Sequence, residues 1–199
     1  MFNPHRFITD RLRAIDASGI RRVFDLAATL REPVNLSIGQ PDFDVPETIK
    51  QAAAKAIRDG LNRYTVTQGT RPLREKVAAH LAAEFPGSLG AGRGGLAQDT
   101  EILITSGVSG GLMLALLTCV GAGDEVLIPD PYFVMYKHLV TLAGATPRFV
   151  DTYPDFQLTP DRIEPRITPR TKMLLFNSPS NPTGVVASPQ ICQQVVELA

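Results

Sequence analysis

Neither sign of charge is in excess, since 20 Lys and Arg stand against 20 Asp and Glu in 199 residues. A phosphate backbone is bound through surplus cations, so this balance excludes nucleic acid as the main partner. Long apolar runs are missing as well. The longest, Leu112 to Val120, is interrupted by Thr118 and falls far short of the roughly 18 residues of a membrane span. The opening MFNPHRFITDRLR lacks the apolar centre of a signal peptide, so neither export nor a membrane partner is expected. Cysteine is scarce: Cys119 and Cys192 lie far apart, and three scattered histidines add no ligand spacing, so no metal site is expected. Hydrophobic residues make up 44% and charged ones 20%, which excludes disorder and leaves ample material for a core. The composition is that of a reduced, cytoplasmic α/β protein.

Glycine and proline, 16 of each, divide the chain into helix-like and strand-like pieces. Residues 1–31 read as a mixed arm, helical near Asp10 to Leu30, and Val34 to Ile38 as an extended run stopping at Gly39-Gln40-Pro41-Asp42-Phe43. Asp44 is placed to cap a helix, with Pro46 in its first turn and Glu47 three places on. Its core face would be Ile49, Ala53, Ala56 and Ile57, ending at Asp59-Gly60. The polar loop Asn62 to Gly69 leads to a second helix with Pro72 in its first turn and a stripe of Leu73, Val77, Leu81 and Phe85. His80, beside that stripe, reads as a surface histidine.

From residue 100 the rhythm becomes βαβ. Strands are expected at Glu101 to Thr105, Glu125 to Pro129, Arg148 to Asp151 and Lys172 to Asn177. Helices are expected at Ser109 to Val120, Phe133 to Ala143, Pro160 to Arg166 and from Pro189 onward. The first of these is apolar almost all round, so it should be buried on several sides. The alternation predicts an α/β fold with a mostly parallel sheet and helices on both faces. Such sheets bind ligands at the carboxyl ends of their strands.

Three segments fall at those ends. Gly107-Val108-Ser109-Gly110-Gly111 joins a strand to a helix, where small residues and unpaired N–H groups suit a phosphate and Ser109 adds a hydroxyl. The same residues fit the Gly-x-Ser-x-Gly elbow of a serine hydrolase with Ser109 as nucleophile. That alternative needs an acid and then a histidine, whereas the one later histidine, His138, sits on the very next helix, and no HGGG-type segment precedes it. Gly90-Ala91-Gly92-Arg93-Gly94-Gly95 formally fits G-x-G-x-x-G but follows no strand, so it reads as a surface loop. Asn177-Ser178-Pro179-Ser180-Asn181-Pro182-Thr183-Gly184 ends a strand with rigid prolines that can hold the Asn181 amide in one orientation. Asp130-Pro131-Tyr132-Phe133 ends another, where the Phe133 ring can stack on a planar ligand. A phosphate cradle, a stacking ring and an oriented amide describe a flat, phosphorylated aromatic cofactor.

The ordered series formed by Ile38 to Phe43, Tyr64 with Gly69, Thr105 to Gly111, Pro129 to Phe133 and Asn177 to Gly184 resembles the class I/II aminotransferases, from about residue 33 to the last residue. These are pyridoxal 5′-phosphate enzymes of fold type I. The resemblance implies that Val108 and Ser109 bind the cofactor phosphate, that Phe133 stacks on its ring, and that Asn181 donates to its phenolic oxygen. It puts Gly39 beside the substrate carboxylate, and Tyr64 across a homodimer interface at the neighbouring subunit's cofactor. Amino acids and 2-oxo acids would be the substrates, with lyase chemistry on the same scaffold as the alternative. It divides the chain into an N-terminal arm and small-domain segment (1–45) and the N-terminal part of the large cofactor-binding domain (46–199). The family's Schiff-base lysine, its pyridine-pairing aspartate and its carboxylate-gripping arginine all follow the Asn-Pro-Thr-Gly motif. Lys50, Lys55, Lys76, Lys137 and Lys172 lack that context. The chain is therefore expected to be the N-terminal portion of such an enzyme, with no catalytic lysine and no activity alone. A non-catalytic relic that keeps a dimer surface or a phosphate site is the third reading.

Overall fold

The structure is a computed structural model and describes residues 4–15, 26, 29–31, 39, 41–85 and 101–199. The extended run Val34 to Ile38, Gln40 and the Gly90 to Gly95 cluster lie outside the described residues, as does most of the arm helix beyond its first turn, α1 (Asp10–Arg13). Two compact units form, one from Met1–Arg21 with Gly107–Ala199 and one from Arg22–Ser106.

The second unit carries α2 (Glu47–Arg58) and α3 (Arg71–Glu84). The cap expected of Asp44 is not made, because α2 starts later and Pro46 holds the cap position. Asp44 instead accepts the Val45 N–H and pairs with Lys50, and these two partners hold its carboxyl below the usual range. The expected core face of α2 is not buried either: Ile49 and Ile57 are exposed. On α3, Pro72 lies in the first turn as expected, and buried Arg74 donates from Nε to the Gly69 carbonyl at 3.1 Å. Gly69 has φ +95°, and a Cβ there would come within 2.5 Å of Ile104 Cγ1, so this position needs glycine. Residues 101–105 form no strand in the described structure; the Ile104 N–H is taken by the Gln68 carbonyl at 3.0 Å rather than by a neighbouring ladder.

The other unit is built on a three-stranded parallel sheet. After α4 (Gly107–Cys119), β1 (Glu125–Asp130) runs through its centre, α5 (Met135–Leu142) crosses to β2 (Thr146–Asp151), and α6 (Pro160–Ile163) precedes β3 (Thr171–Leu174). The strand order is β2-β1-β3, and α7 (Pro189–Leu198) follows. Successive β1 side chains point to opposite faces. Val126 and Ile128 pack with Leu116 and Val120 of the α4 segment and Leu139 and Val140 of α5. Leu127 packs on the other side with Val150, Leu158, Ile163 of α6 and Val195 of α7. Helices thus cover both faces, which is why β1 tolerates an unbroken apolar run. One expectation fails here. Only Leu116 of α4 is fully buried, while Val108, Leu114 and Leu117 stand open at 78%, 49% and 54% exposure. One side of α4 meets β1 and α5, and the other meets nothing comparable among the described residues. No described helix is long and apolar enough to cross a membrane.

Candidate functional site

Topology brings three segments to the carboxyl edge of the sheet. The first is the start of α4. This helix ends at the turn into β1, where the Gly121 N–H donates to Asp124 Oδ2 at 2.9 Å. Because α4 packs along β1, its 13 residues, at about 1.5 Å each, carry its N-terminus back to the strand's carboxyl end. Gly107 opens it at φ +69°, and a Cβ built there meets nothing within 4 Å among the described residues. Helix geometry leaves the N–H groups of the first turn, including those of Val108 and Ser109, without intrahelical acceptors. Val108 is exposed, Ser109 is half-buried, and the Ser109 hydroxyl has no hydrogen-bond partner among the described residues.

The second segment follows β1. Thr152 donates to the Asp130 carbonyl from Oγ1 at 2.7 Å and from its backbone N at 3.1 Å, which ties the end of β1 to β2. Beyond the cis Asp130–Pro131 bond, Tyr132 stacks on Phe149 with centroids 5.1 Å apart. Phe133 stays half-buried and meets Tyr136 edge-on, at 5.6 Å and 76°.

The third follows β3. The Leu175 N–H still reaches the Leu127 carbonyl at 2.9 Å, and then the chain leaves the sheet, three residues before the expected strand end, as the prolines at 179 and 182 approach. The loop bonds to itself: Ser180 N–H to the Val185 carbonyl at 2.9 Å, Gly184 N–H to the Ser180 carbonyl at 2.7 Å, and Ala187 N–H to Ser178 Oγ at 3.0 Å. Asn177 Oδ1 accepts the Asn181 N–H at 2.9 Å and the Tyr136 hydroxyl at 3.3 Å. Burial pushes the Tyr136 phenol above its ordinary value, so it remains a donor well into alkaline pH. The Asn181 carboxamide is exposed and has no hydrogen-bond partner among the described residues.

Val108, Ser109, Phe133 and Asn181 therefore all belong to one unit and one edge of its sheet. Gly39 and Tyr64, both exposed, belong to the unit Arg22–Ser106. The hydrolase alternative loses its premises: no strand precedes the Ser109 turn among the described residues, and His138 is buried on α5. Sequence reasoning passed over Tyr136 and the role of Asn177. The available signal was an aromatic residue three positions after Phe133.

The donor set at this edge, which consists of helix N–H groups with a hydroxyl, a flat ring and a fixed amide, fits a planar ligand carrying a phosphate and a ring oxyanion. The family model for aminotransferase class I and II matches residues 31–199. The chain is similar to aromatic-amino-acid aminotransferase 2 of Thermococcus litoralis, at 38% identity over 96% of this chain and 48% of that protein. It is similar to the aspartate aminotransferase of Pyrococcus abyssi at 36% identity, again over 96% and 48%. Among solved structures, the N-succinyldiaminopimelate aminotransferase of Mycobacterium tuberculosis superposes with a TM-score of 0.86 at 35% identity, over 96% of this chain and 49% of that one. A single mutant of Thermus thermophilus aspartate aminotransferase gives 0.85 at 34% identity, over 96% and 50%. The chain spans about half the length of the curated relatives it matches. With the motif series, the parallel sheet and the family model in agreement, the chain belongs to the class I and II aminotransferases.

Proposed function

We propose that the protein is a pyridoxal 5′-phosphate-dependent aminotransferase that moves an amino group between an L-amino acid and a 2-oxo acid. The observation that carries this reading is the pairing of two donors without a partner among the described residues, the Ser109 hydroxyl and the Asn181 carboxamide, with the Phe133 ring at one sheet edge. When bound, the cofactor supplies the electron sink for the chemistry. The chain's own residues bind and orient. Val108 and Ser109 hold the phosphate at the positive end of α4, and Phe133 fixes the plane of the ring. Asn181 donates to the ring oxygen and so favours its ionised form. Gly39 lies beside the substrate carboxylate. Segment 1–45 serves as arm and small-domain piece, and 46–199 as part of the large domain.

The reading extends to a cytoplasmic homodimer in which Tyr64 reaches the partner's cofactor phosphate. Tyr64→Phe in the complete gene product is expected to weaken cofactor retention about fivefold with the fold intact, the loss of one hydroxyl donor to an anion. Equal retention in a strictly monomeric enzyme would rule the cross-subunit role out. For the reaction itself, product analysis decides: amino transfer requires a 2-oxo acid acceptor. Release of ammonia and pyruvate without one would assign a lyase instead.

The 199 residues alone are expected to show no turnover. Transamination needs an amine that bonds the cofactor aldehyde and moves a proton. Lys50 and Lys55 are paired with Asp44 and Asp59 on α2, Lys76 is on α3, Lys137 is on α5, and Lys172 is at the amino end of β3, the edge opposite the site. Borohydride reduction with pyridoxal phosphate and peptide mapping checks this. Stoichiometric labelling of one of these five, together with turnover, would refute it.

A further inference from the structure

The hydrogen-bonded pair Tyr136 and Asn177 touches both ligand-facing groups of the carboxyl edge. The Tyr136 ring meets the Phe133 ring edge-on, and its hydroxyl donates to Asn177 Oδ1. The same oxygen accepts the Asn181 backbone N–H at 2.9 Å. An oxygen that takes two donors fixes which way the Asn177 amide faces. Asn181 is thereby held on both sides of its Cα: its N–H is bonded to Asn177, and the proline that follows restricts its own backbone. Only the two side-chain torsions remain to aim its carboxamide. A loop that merely connected β3 to α7 would need Asn177 to close the turn, but it would not need a half-buried phenol 41 positions away on the same oxygen.

We propose that Tyr136 and Asn177 are positioning residues, a bracket that sets the Asn181 amide at a fixed offset from the Phe133 ring so that one rigid ligand meets both. The inference rests on the reading of Asn181 as donor to the ring oxygen of pyridoxal phosphate. It adds that the strength of that contact is governed from Tyr136, which itself touches no ligand.

The test compares two ligands in the complete gene product: pyridoxal 5′-phosphate and its analogue carrying hydrogen in place of the ring hydroxyl, each titrated into apoenzyme. Wild type should prefer the natural cofactor. Tyr136→Phe keeps the ring contact and removes only the hydroxyl. It should lower affinity for the natural cofactor about fivefold while changing the analogue by less than about twofold. Asn177→Ala should show the same selective loss at about tenfold or more. A structural role alone would weaken both ligands equally, so equal losses, or no loss in Tyr136→Phe, would overturn the bracket while leaving the Asn181 reading in place. A wild type that does not distinguish the ligands would overturn the Asn181 reading, and the bracket with it.

Discussion

At the amino end of β1, Glu125 is buried at 2% exposure and its carboxylate is fully engaged. Thr168 Oγ1 donates to it at 2.7 Å, Arg170 at 2.8 Å, and Arg148 Nε lies 3.9 Å away. At the carboxyl end of the same sheet the Ser109 hydroxyl and the Asn181 carboxamide have no partner among the described residues, although neighbouring backbone is bonded closely around Asn181. Both ends are polar, but their polarity has different uses. A polar group with all its bonds made inside the protein contributes to holding the fold, whereas a donor held rigidly and left open is available to a ligand. The better-satisfied cluster is therefore the worse candidate for a site, despite its greater charge.

Removing the open donor should give the largest effect on cofactor affinity and the smallest on the fold. Asn181→Ala in the complete gene product is expected to weaken pyridoxal phosphate about thirtyfold, the size of a hydrogen bond to a charged oxygen, with the apoenzyme melting temperature nearly unchanged. Titration and calorimetry on one preparation check both halves. Next comes Phe133→Ala, expected to cost about tenfold in the same titration through lost stacking. An unchanged affinity would move the ring out of the site. The mirror experiment is Glu125→Gln, for which cofactor affinity should stay within about twofold while the melting temperature falls.

Glu125 also sets a pH signature. The Thr168 hydrogen bond, with Arg170 and Arg148, holds its carboxyl below its ordinary value against the opposing effect of burial. A folded value below the unfolded one means that its stabilisation is complete above the unfolded value and is lost as pH falls through the folded one. Glu125→Gln should flatten the acid limb of the stability profile between those two values, where Glu125 binds its proton in the unfolded chain before it does in the folded one. A profile that keeps its acid slope would assign the slope to other carboxylates.

Much of this was legible in the sequence because it is local. The unbroken apolar run Val126-Leu127-Ile128 formed its strand and the segment from Pro189 formed its helix, each from a few consecutive residues. Most of the failures share a cause: they depended on a partner distant in sequence. The α4 helix is apolar all round, but sequence does not say how many sides find company, and Leu114 and Leu117 find none comparable among the described residues. Residues 101–105 have strand composition, yet a strand exists only if a neighbour pairs with it. Asp44 has capping chemistry but sits two residues before the cap position. Tyr136 was invisible as a site residue because its value lies in an oxygen of Asn177, which no local pattern connects to it.

The central position of β1 has a consequence for the order in which the sheet assembles. Its pairing with β2 closes a segment of roughly twenty residues through α5, while its pairing with β3 closes roughly forty-five. The longer closure costs only about 0.7 kcal/mol more in chain entropy, but it also waits on residues that leave the ribosome later. The β1–α5–β2 crossover brings its own buried contacts, Val126 and Ile128 against Leu139 and Val140, and so can form as a unit before β3 is synthesised. The Phe133 corner then exists early. The Asn177 loop can arrive only with β3, after that corner.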